Sequence, residues 1–376
     1  MKRKKILFLS SWYPVKNNPT HGIFVQRHAE AVSMFHEVYV LYVYGAEEHR
    51  YEEKKIRSET FTEHYIQFDR REKNAYQKYK IQKQIYYQAF NKLLSEWGKP
   101  DVIHLNVIYP AGIFAVDLSR KYNLPLVSTE HWTGYLPEDG SYKGLIRKYF
   151  TKKVIKHSNV VTPVTKHLEN NMRAHGLNGN YVVVPNVVDT DFFTPSNDSP
   201  KNHITFFHLS SLDERQKNPQ AILDSFLSVF KKNAQTKMIF AGDGENFESI
   251  KNTYKHPAIE FVFRPMGEEL LRLFQRSDAF ILCSNYENLP VVLIEAMSCG
   301  KPVVSSDVGG IAEYVNGATG ILFTPTDVTN LVSALKKFIE IKGTFDGGHI
   351  RQTAIKHFSR MAVAEKYDSV YSQIKW

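Results

Sequence analysis

AFILCSNYENLPVVLIEAMSCGKPVVSSDVGGIAE, residues 279–313, is the stretch whose reading decides the fold. It predicts a strand over Ala279–Cys283, a loop over Ser284–Leu289 and a helix over Pro290–Ser298. A tight turn at Cys299–Gly300, a strand over Pro302–Ser305 and a second glycine loop follow. Pro290 suits a first helical position, where its missing N–H is no loss. The helix would then present free backbone donors toward the preceding loop, a ready site for an anion. Glu287 sits in that loop and Glu295 within the helix, whose other residues from Val291 to Met297 are all apolar. A carboxylate in so apolar a helix needs a partner. An isolated one would meet a buried arginine or a backbone amide. Two glutamates framing a helix N-terminus at a strand's carboxyl end point instead to a site, because open α/β sheets bind ligands there.

Glu287 and Glu295, with seven residues between them, form an E-x7-E pair. Around them stand Ser284, Pro290, Ala296, Met297, Gly300, Pro302, Val303, Val304, Gly309, Gly310 and Glu313. This ordered string resembles the retaining GT-B glycosyltransferases of the group 1 or family 4 type. The resemblance implies two Rossmann-like α/β domains with a cleft between them and a C-terminal helix crossing back to the first domain. It places an acceptor-side domain at 1–190 with the crossing helix at 358–376, and a nucleotide-sugar domain at 191–357.

Length agrees with two domains, since 376 residues exceed what one core usually organises. Cys283 and Cys299, the two cysteines, lie in the apolar stretch and read as small core residues, not a disulfide pair. KRKK at 2–5 leads into a run too short for a secretory h-region or a span, so the expectation is a cytoplasmic protein, with the inner membrane face as a peripheral station. Residues 1–190 hold 28 Lys+Arg against 18 Asp+Glu, a net +10, which leaves −1 of the total +9 for 191–376. Such a basic half suits an anionic membrane or an acidic ligand. No nucleic-acid fold signature accompanies it.

Residues 4–11 predict the first strand, the loop at 12–22 the first ligand-facing turn, and a helix runs from Gly22 to about Phe35. In the resembled family this loop reaches over the donor phosphates, which singles out Gly22. Residues 45–100 are hard to read and end in a basic, tyrosine-rich helix at 74–98. That helix suits either an anionic bilayer or a surface with its aromatics packed inward. A strand follows at 99–108, with a helix from Tyr109–Pro110, and another strand at 124–130 runs into Glu130, His131 and Trp132. The resemblance puts His131 against the donor sugar; His104 reads as structural. Residues 182–195 predict a short strand, a Pro-Asn turn and the bridge between domains. Asp189-x-Asp191 there is not read as a metal-binding D-x-D, and no other cluster has metal-ligand spacing.

The second half repeats the alternation: a strand at 204–212, the loop DERQKNP, a helix at 219–232, and a strand ending in Gly242-x-Gly244. No G-x-G-x-x-G occurs, which argues against a dinucleotide redox cofactor. Lys217 matches the phosphate-binding lysine of the family's G-R-L-x-x-x-K-G pattern, and Arg215 stands two residues before it. Ser210, Ser211 and Asn218 depart from that pattern. A helix at 327–341 and a helical spacing over 358–376 close the chain.

The resemblance implies transfer of a hexosyl unit from a UDP- or GDP-linked sugar to a glycan or lipid-linked acceptor in polysaccharide or glycolipid assembly. It implies no metal and no cofactor beyond the nucleoside diphosphate sugar. Lys217, the helix start at Pro290, the amides of Asn288 and Leu289 and the Gly309–Gly310 loop would stabilise the leaving diphosphate. Glu295 would hold the ribose, Glu287 would serve the sugar, and His131 would meet it from the other domain as the cleft closes. A sugar-nucleotide epimerase or hydrolase on the same fold is the alternative, as is a non-catalytic nucleotide-sugar-binding protein.

Overall fold

The computed structural model describes residues 3–47, 50–196, 203–231, 235–325 and 328–374, so residue 232, residue 327 and residues 375–376 of the expected helices lie outside the described residues. The chain divides into two units, Met1–Val187 with Arg360–Trp376, and Val188–Ser359.

In the first unit the elements run β1 (Lys5–Ser10), α1 (Ile23–Ser33), β2 (Glu37–Ala46), β3 (Glu52–Arg57), β4 (Phe61–Asp69), α2 (Ala75–Glu96), β5 (Val102–Asn106), α3 (Gly112–Tyr122), β6 (Leu126–Glu130), α4 (Leu145–His157), β7 (Val160–Pro163) and α5 (Lys166–Ala174). The second holds β8 (Ile204–Ser210), α6 (Glu214–Lys217), α7 (Pro219–Phe230), β9 (Thr236–Gly242), α8 (Phe247–Thr253), β10 (Ile259–Phe263), α9 (Gly267–Arg276), β11 (Ala279–Leu282), α10 (Val291–Ser298), β12 (Val303–Ser306), β13 (Gly320–Phe323), α11 (Val328–Ile341) and α12 (Gly347–Phe358); α13 (Arg360–Gln373) returns to the first unit.

The first sheet has the order β3-β4-β2-β1-β5-β6-β7 and the second β10-β9-β8-β11-β12-β13. All pairings are parallel except β3 with β4. Strand order reverses between β1 and β5 in one sheet and between β8 and β11 in the other. These are the switch points at which doubly wound sheets open a crevice. Two α/β units, each built on a largely parallel sheet, with a C-terminal helix returning to the first, are as expected from sequence. Central strands carry continuous apolar runs, ILFL in β1 and AFIL in β11, because helices cover both faces. The β3 edge, EEKKIR, is almost wholly exposed, and its charges blunt an otherwise pairable strand.

Sequence reading missed β3, β4, α4, α8 and α12, and it misplaced boundaries in the first unit. Residues 182–188 are not a strand. Only isolated bridges at Val161–Tyr181 and Val188–Ser359 form, since Pro163 and Pro185 each lack a donor for the ladder. Helix α3 starts at Gly112 and not at Tyr109, because Val107 turns at φ +55° and the Ile108 amide donates to the Glu130 carboxylate. Helix α2 opens with a reciprocal cap, Asn74 and Gln77 each bonding the other's backbone amide at 2.9 Å. It turns Ile85, Tyr86, Phe90 and Leu93 into the core, with Tyr79 and Tyr86 stacked on Phe114. Among the described residues no helix is long and apolar enough to cross a membrane. Cys283 and Cys299 are free, buried thiols, raised by burial to about 11 and about 12.

α13 is tied into the first unit by a polar chain inside an apolar core. His104 bonds Tyr371 Oη and Thr129 Oγ1, both at 2.6 Å, and Tyr367 Oη bonds His28 Nδ1 at 3.0 Å. His28 Nε2 donates to the Pro185 carbonyl at 3.1 Å. Burial holds these imidazoles neutral, taking His28 down to about 3 and His104 well below its usual value. An unfolded histidine titrates near 6.5, so between there and about 3 the unfolded chain binds more protons, and stability falls as pH falls. Trp12, Trp97 and Trp132 all lie in this unit, whereas 188–359 holds no tryptophan. Urea unfolding followed by tryptophan fluorescence should therefore lose on the order of 2 kcal/mol for His28 alone between pH 7 and pH 5.

Candidate functional site

At the switch point of the second unit, the loops after β8 and β11 are fastened to each other. Asn285 N donates to the Gln216 carbonyl at 2.8 Å, and Asn285 Nδ2 to the Arg215 carbonyl at 2.9 Å. Asn218 Nδ2 reaches Asn285 Oδ1 at 2.7 Å, and Gln216 Nε2 the Tyr286 carbonyl at 3.3 Å. At the centre the Lys217 ammonium pairs with Glu287 Oε1, which also accepts from Ser284 Oγ at 2.8 Å. Lys217 and Glu287 side chains are 15% and 7% exposed, so this pair is largely out of water.

A third loop closes on the second. Gly309 adopts φ +62°, and a Cβ there would lie 1.8 Å from the Glu287 carbonyl oxygen. Only glycine fits. Gly310 N then donates to the Asn288 carbonyl at 2.9 Å, and Ser306 Oγ to the Ser284 carbonyl at 2.7 Å. Pro290 stands one residue earlier than expected, as the N-cap of α10 with ψ 124°, because the loop stays extended up to it. Val291 is the first helical residue, and Glu295 lies 3% exposed within the helix. Leu289 and Asn288 are buried beside it.

Of the three departures from the family pattern, those at Ser210 and Asn218 have structural reasons, and nothing in the structure explains Ser211. The expected open loop DERQKNP contains the helical turn α6, capped by Asp213, whose carboxylate accepts from Arg215 N and Gln216 N at 2.9 and 3.2 Å. Lys217 ends that turn, and Asn218 follows at φ +46°, a left-handed position that asparagine tolerates almost as glycine does. Arg215 is exposed, with its side chain outside the Lys217–Glu287 pair. Ser210 accepts from Leu212 N at 3.2 Å and bonds His208 Nε2 at 2.9 Å, while His208 Nδ1 donates to the Ile281 carbonyl at 3.0 Å. Burial takes His208 down to about 4, so the ring is neutral and the Ser210 hydroxyl is the donor between them. Gly242 and Gly244 let this loop in: added Cβ atoms would meet Leu212 side-chain atoms at 2.4 Å and the Ser211 carbonyl at 2.6 Å.

In the first unit, Gly22 caps α1 at φ +73°, and a Cβ there would fall 2.7 Å from Tyr13 N. The loop it packs on is anchored by Tyr13 Oη, which donates to buried Glu63 at 2.6 Å. His131 follows β6. Its Nδ1 donates to Asn186 Oδ1 at 3.2 Å, and burial holds the ring neutral, far below its usual pKa. A neutral ring that donates at Nδ1 is an acceptor at Nε2. The residue that sequence reading undervalued is Glu130. Its carboxylate accepts from Ile108 N, His131 N, Trp132 N and Tyr135 Oη at 3.2, 2.8, 3.0 and 3.1 Å, fixing the backbone that carries His131. Burial pushes its pKa up against those bonds. A glutamate directly before a site histidine at a strand's end was the signal.

Asp189 is the cap of a turn, accepting from Asp191 N and Phe192 N, both at 3.2 Å. Among the described residues no group of three His, Cys, Asp or Glu could hold a metal ion.

Sequence profiles of two families match: "Glycosyl transferases group 1" over residues 189–352 and "Glycosyltransferase Family 4" over residues 23–192. N-acetyl-alpha-D-glucosaminyl L-malate synthase of Bacillus anthracis is 26% identical over 295 residues, 73% of this chain and 75% of that protein. Sulfoquinovosyl transferase SQD2 of Arabidopsis thaliana is 31% identical over 160 residues, 41% of this chain and 31% of that one. Glycogen synthase of Mycobacterium tuberculosis is 26% identical over 64% of this chain and 61% of its own length. The matched regions thus span less than two thirds of these last two relatives. Sucrose-phosphate synthase from Thermosynechococcus elongatus shares the fold with a TM-score of 0.77 at 18% identity, covering 99% of both chains. Anabaena HepE, solved in complex with UDP, superposes with a TM-score of 0.73 at 18% identity over 98% of this chain and 100% of its own.

Gly309→Ala should destabilise the second unit by at least about 1–3 kcal/mol, read as a lower urea midpoint in circular dichroism. Gly317→Ala, where an added Cβ meets nothing within 4 Å, is the control, with a change inside about 0.5 kcal/mol.

Proposed function

Because the chain belongs to the group 1 and family 4 glycosyltransferases, we propose that it transfers a hexosyl unit from a UDP- or GDP-linked sugar to a glycan or lipid-linked acceptor, with retention of anomeric configuration. The observation that carries this reading is the Lys217–Glu287 pair, held between two loops at the β8/β11 switch point and followed at once by the start of α10. When the bond from the anomeric carbon to the β-phosphate oxygen breaks, negative charge grows on the diphosphate. An ammonium carries three donors, and Glu287 engages one, so Lys217 can bond the sugar-side carboxylate and a phosphate oxygen together. The N-terminus of α10 adds its dipole and amide donors to that charge. This stabilisation is in place before the reaction begins, so little reorganisation accompanies it.

Glu287, fixed at Oε1 by Lys217 and Ser284, is suited to bind a sugar hydroxyl or to support positive charge at the anomeric carbon. Glu295, buried one turn into α10, is assigned to the ribose hydroxyls, and Gly309–Gly310 to the backbone that shapes the site. His131, neutral and held by Asn186, is assigned to a sugar hydroxyl as acceptor at Nε2. Gly22 shapes the loop after β1, and Arg215 is left with long-range attraction for the diphosphate. The UDP bound in the HepE structure supports a nucleoside diphosphate as the donor's leaving group. Charge neutralisation by a lysine and a helix start calls for no bound cation, so turnover should persist in excess chelator.

Lys217→Met separates the phosphate role from mere folding. Calorimetric titration should show the variant losing UDP affinity by about tenfold or more, with UMP affinity within about twofold of the parent, because the β-phosphate carries the difference. Equal losses for both nucleotides, or none, would remove the lysine from the diphosphate.

A further inference from the structure

Between Asp139 and Glu169 the chain carries no carboxylate, while Lys143, Arg147, Lys148, Lys152, Lys153 and Lys156 fall within or just before α4. Thr151, Val154 and Ile155 are the residues that α4 buries. That inner face is locked in place: a Cβ on Gly112 of α3 would come within 2.8 Å of Val154 Cγ2. At 100° per residue, the opposite face presents Leu145, Ile146 and Tyr149 near the helix start and Lys152, Lys153 and Lys156 farther along. The apolar three are 87%, 68% and 64% exposed, the first two being aliphatic side chains left mostly to water. A folded surface rarely strands adjacent Leu and Ile in this way. Among the described residues no carboxylate lies within salt-bridge distance of the six cations.

From this arrangement we infer that the outer face of α4 is a docking surface for an anionic lipid bilayer. Leu145, Ile146 and Tyr149 enter the headgroup–acyl boundary, and Lys152, Lys153 and Lys156 lie over phosphate headgroups. The two halves of the face fit the two layers of one partner, apolar interior and charged rim. A nucleic acid would use the lysines but leave two aliphatic side chains wet, and a second copy of this chain docking by the same face would set three lysines against three. Helix α2, the basic helix first noticed in sequence, does not offer such a face. Its aliphatic residues Ile85 and Leu93 are internal, and its Lys83 pairs with Asp117 of α3 at 3.4 Å. The inference stands apart from the donor chemistry, since no α4 residue has a role in it.

Vesicle co-sedimentation tests it. Wild-type protein should partition onto vesicles of phosphatidylglycerol and phosphatidylcholine about tenfold or more better than onto phosphatidylcholine alone, and lose most of that preference as salt rises. Leu145→Ser/Ile146→Ser/Tyr149→Ser and, separately, Lys152→Glu/Lys153→Glu/Lys156→Glu should each cut partitioning by about tenfold or more. Lys78→Glu/Lys80→Glu on α2 should change it less than about twofold. All three variants should keep the wild-type unfolding midpoint and UDP affinity, which separates failure here from failure of the transfer reading. Wild-type protein that ignores anionic vesicles, α4 variants that bind like wild type, or loss confined to the α2 variant would each overturn the inference. So would a wild-type dimer in sedimentation velocity that the serine variant dissolves.

Discussion

The second unit depends on one constraint: a carboxylate and an ammonium, mostly withdrawn from water, must stay paired. Removing either partner from such a pair leaves an uncompensated charge, a loss of about 3–5 kcal/mol. Glu287 and Lys217 come from loops after different strands, so their pairing holds the β8 and β11 loops in one register. The amide contacts of Asn285 and Asn218 prevent the loops from sliding, and Gly309 brings a third loop into backbone contact with Glu287 itself. The position of the acid therefore follows from three elements at once. A site that must meet charge as it forms needs that rigidity, because reorganisation during the reaction would forfeit the gain.

The first unit solves a different problem with neutral groups. α13 returns from the far end of the chain and sets Tyr367 and Tyr371 against His28, His104 and Thr129. Each imidazole is buried deeply enough to shed its proton, so the network exchanges hydrogen bonds without burying charge. His131 lies beside this chain, with its ring 5.1 Å from that of His28, and its own burial keeps it neutral as well. Glu130 is a buried acid directly before it in sequence, with four donors around it. The backbone under His131 is thus set by its neighbour in sequence, and its ring by Asn186.

Much of this was legible in the sequence because the parallel strands are apolar on both faces and the E-x7-E string occupies a strand–loop–helix of fixed length. Other parts were not. Residues 52–57 are almost all charged and residues 61–69 mix charged, polar and apolar side chains without a clean period, so the stretch was hard to read, although it forms β3 and β4. α4 carries so many lysines and so narrow a buried face that helical periodicity is faint. Ser210 and Asn218 looked like losses of a glycine pattern. In three dimensions one hydroxyl steadies a left-handed Leu212, and one asparagine accepts the left-handed turn itself. Substitutions that preserve a backbone shape by another route are invisible to a motif and plain in dihedral angles.

The central claim, that the Lys217–Glu287 contact holds the two loops as a unit, is tested most directly by a double-mutant cycle on the ligand-free protein. Unfolding free energies of wild type, Lys217→Met, Glu287→Gln and the double variant should show a coupling of about 2 kcal/mol or more, because the second substitution relieves the charge stranded by the first. Additivity within about 0.5 kcal/mol would contradict it.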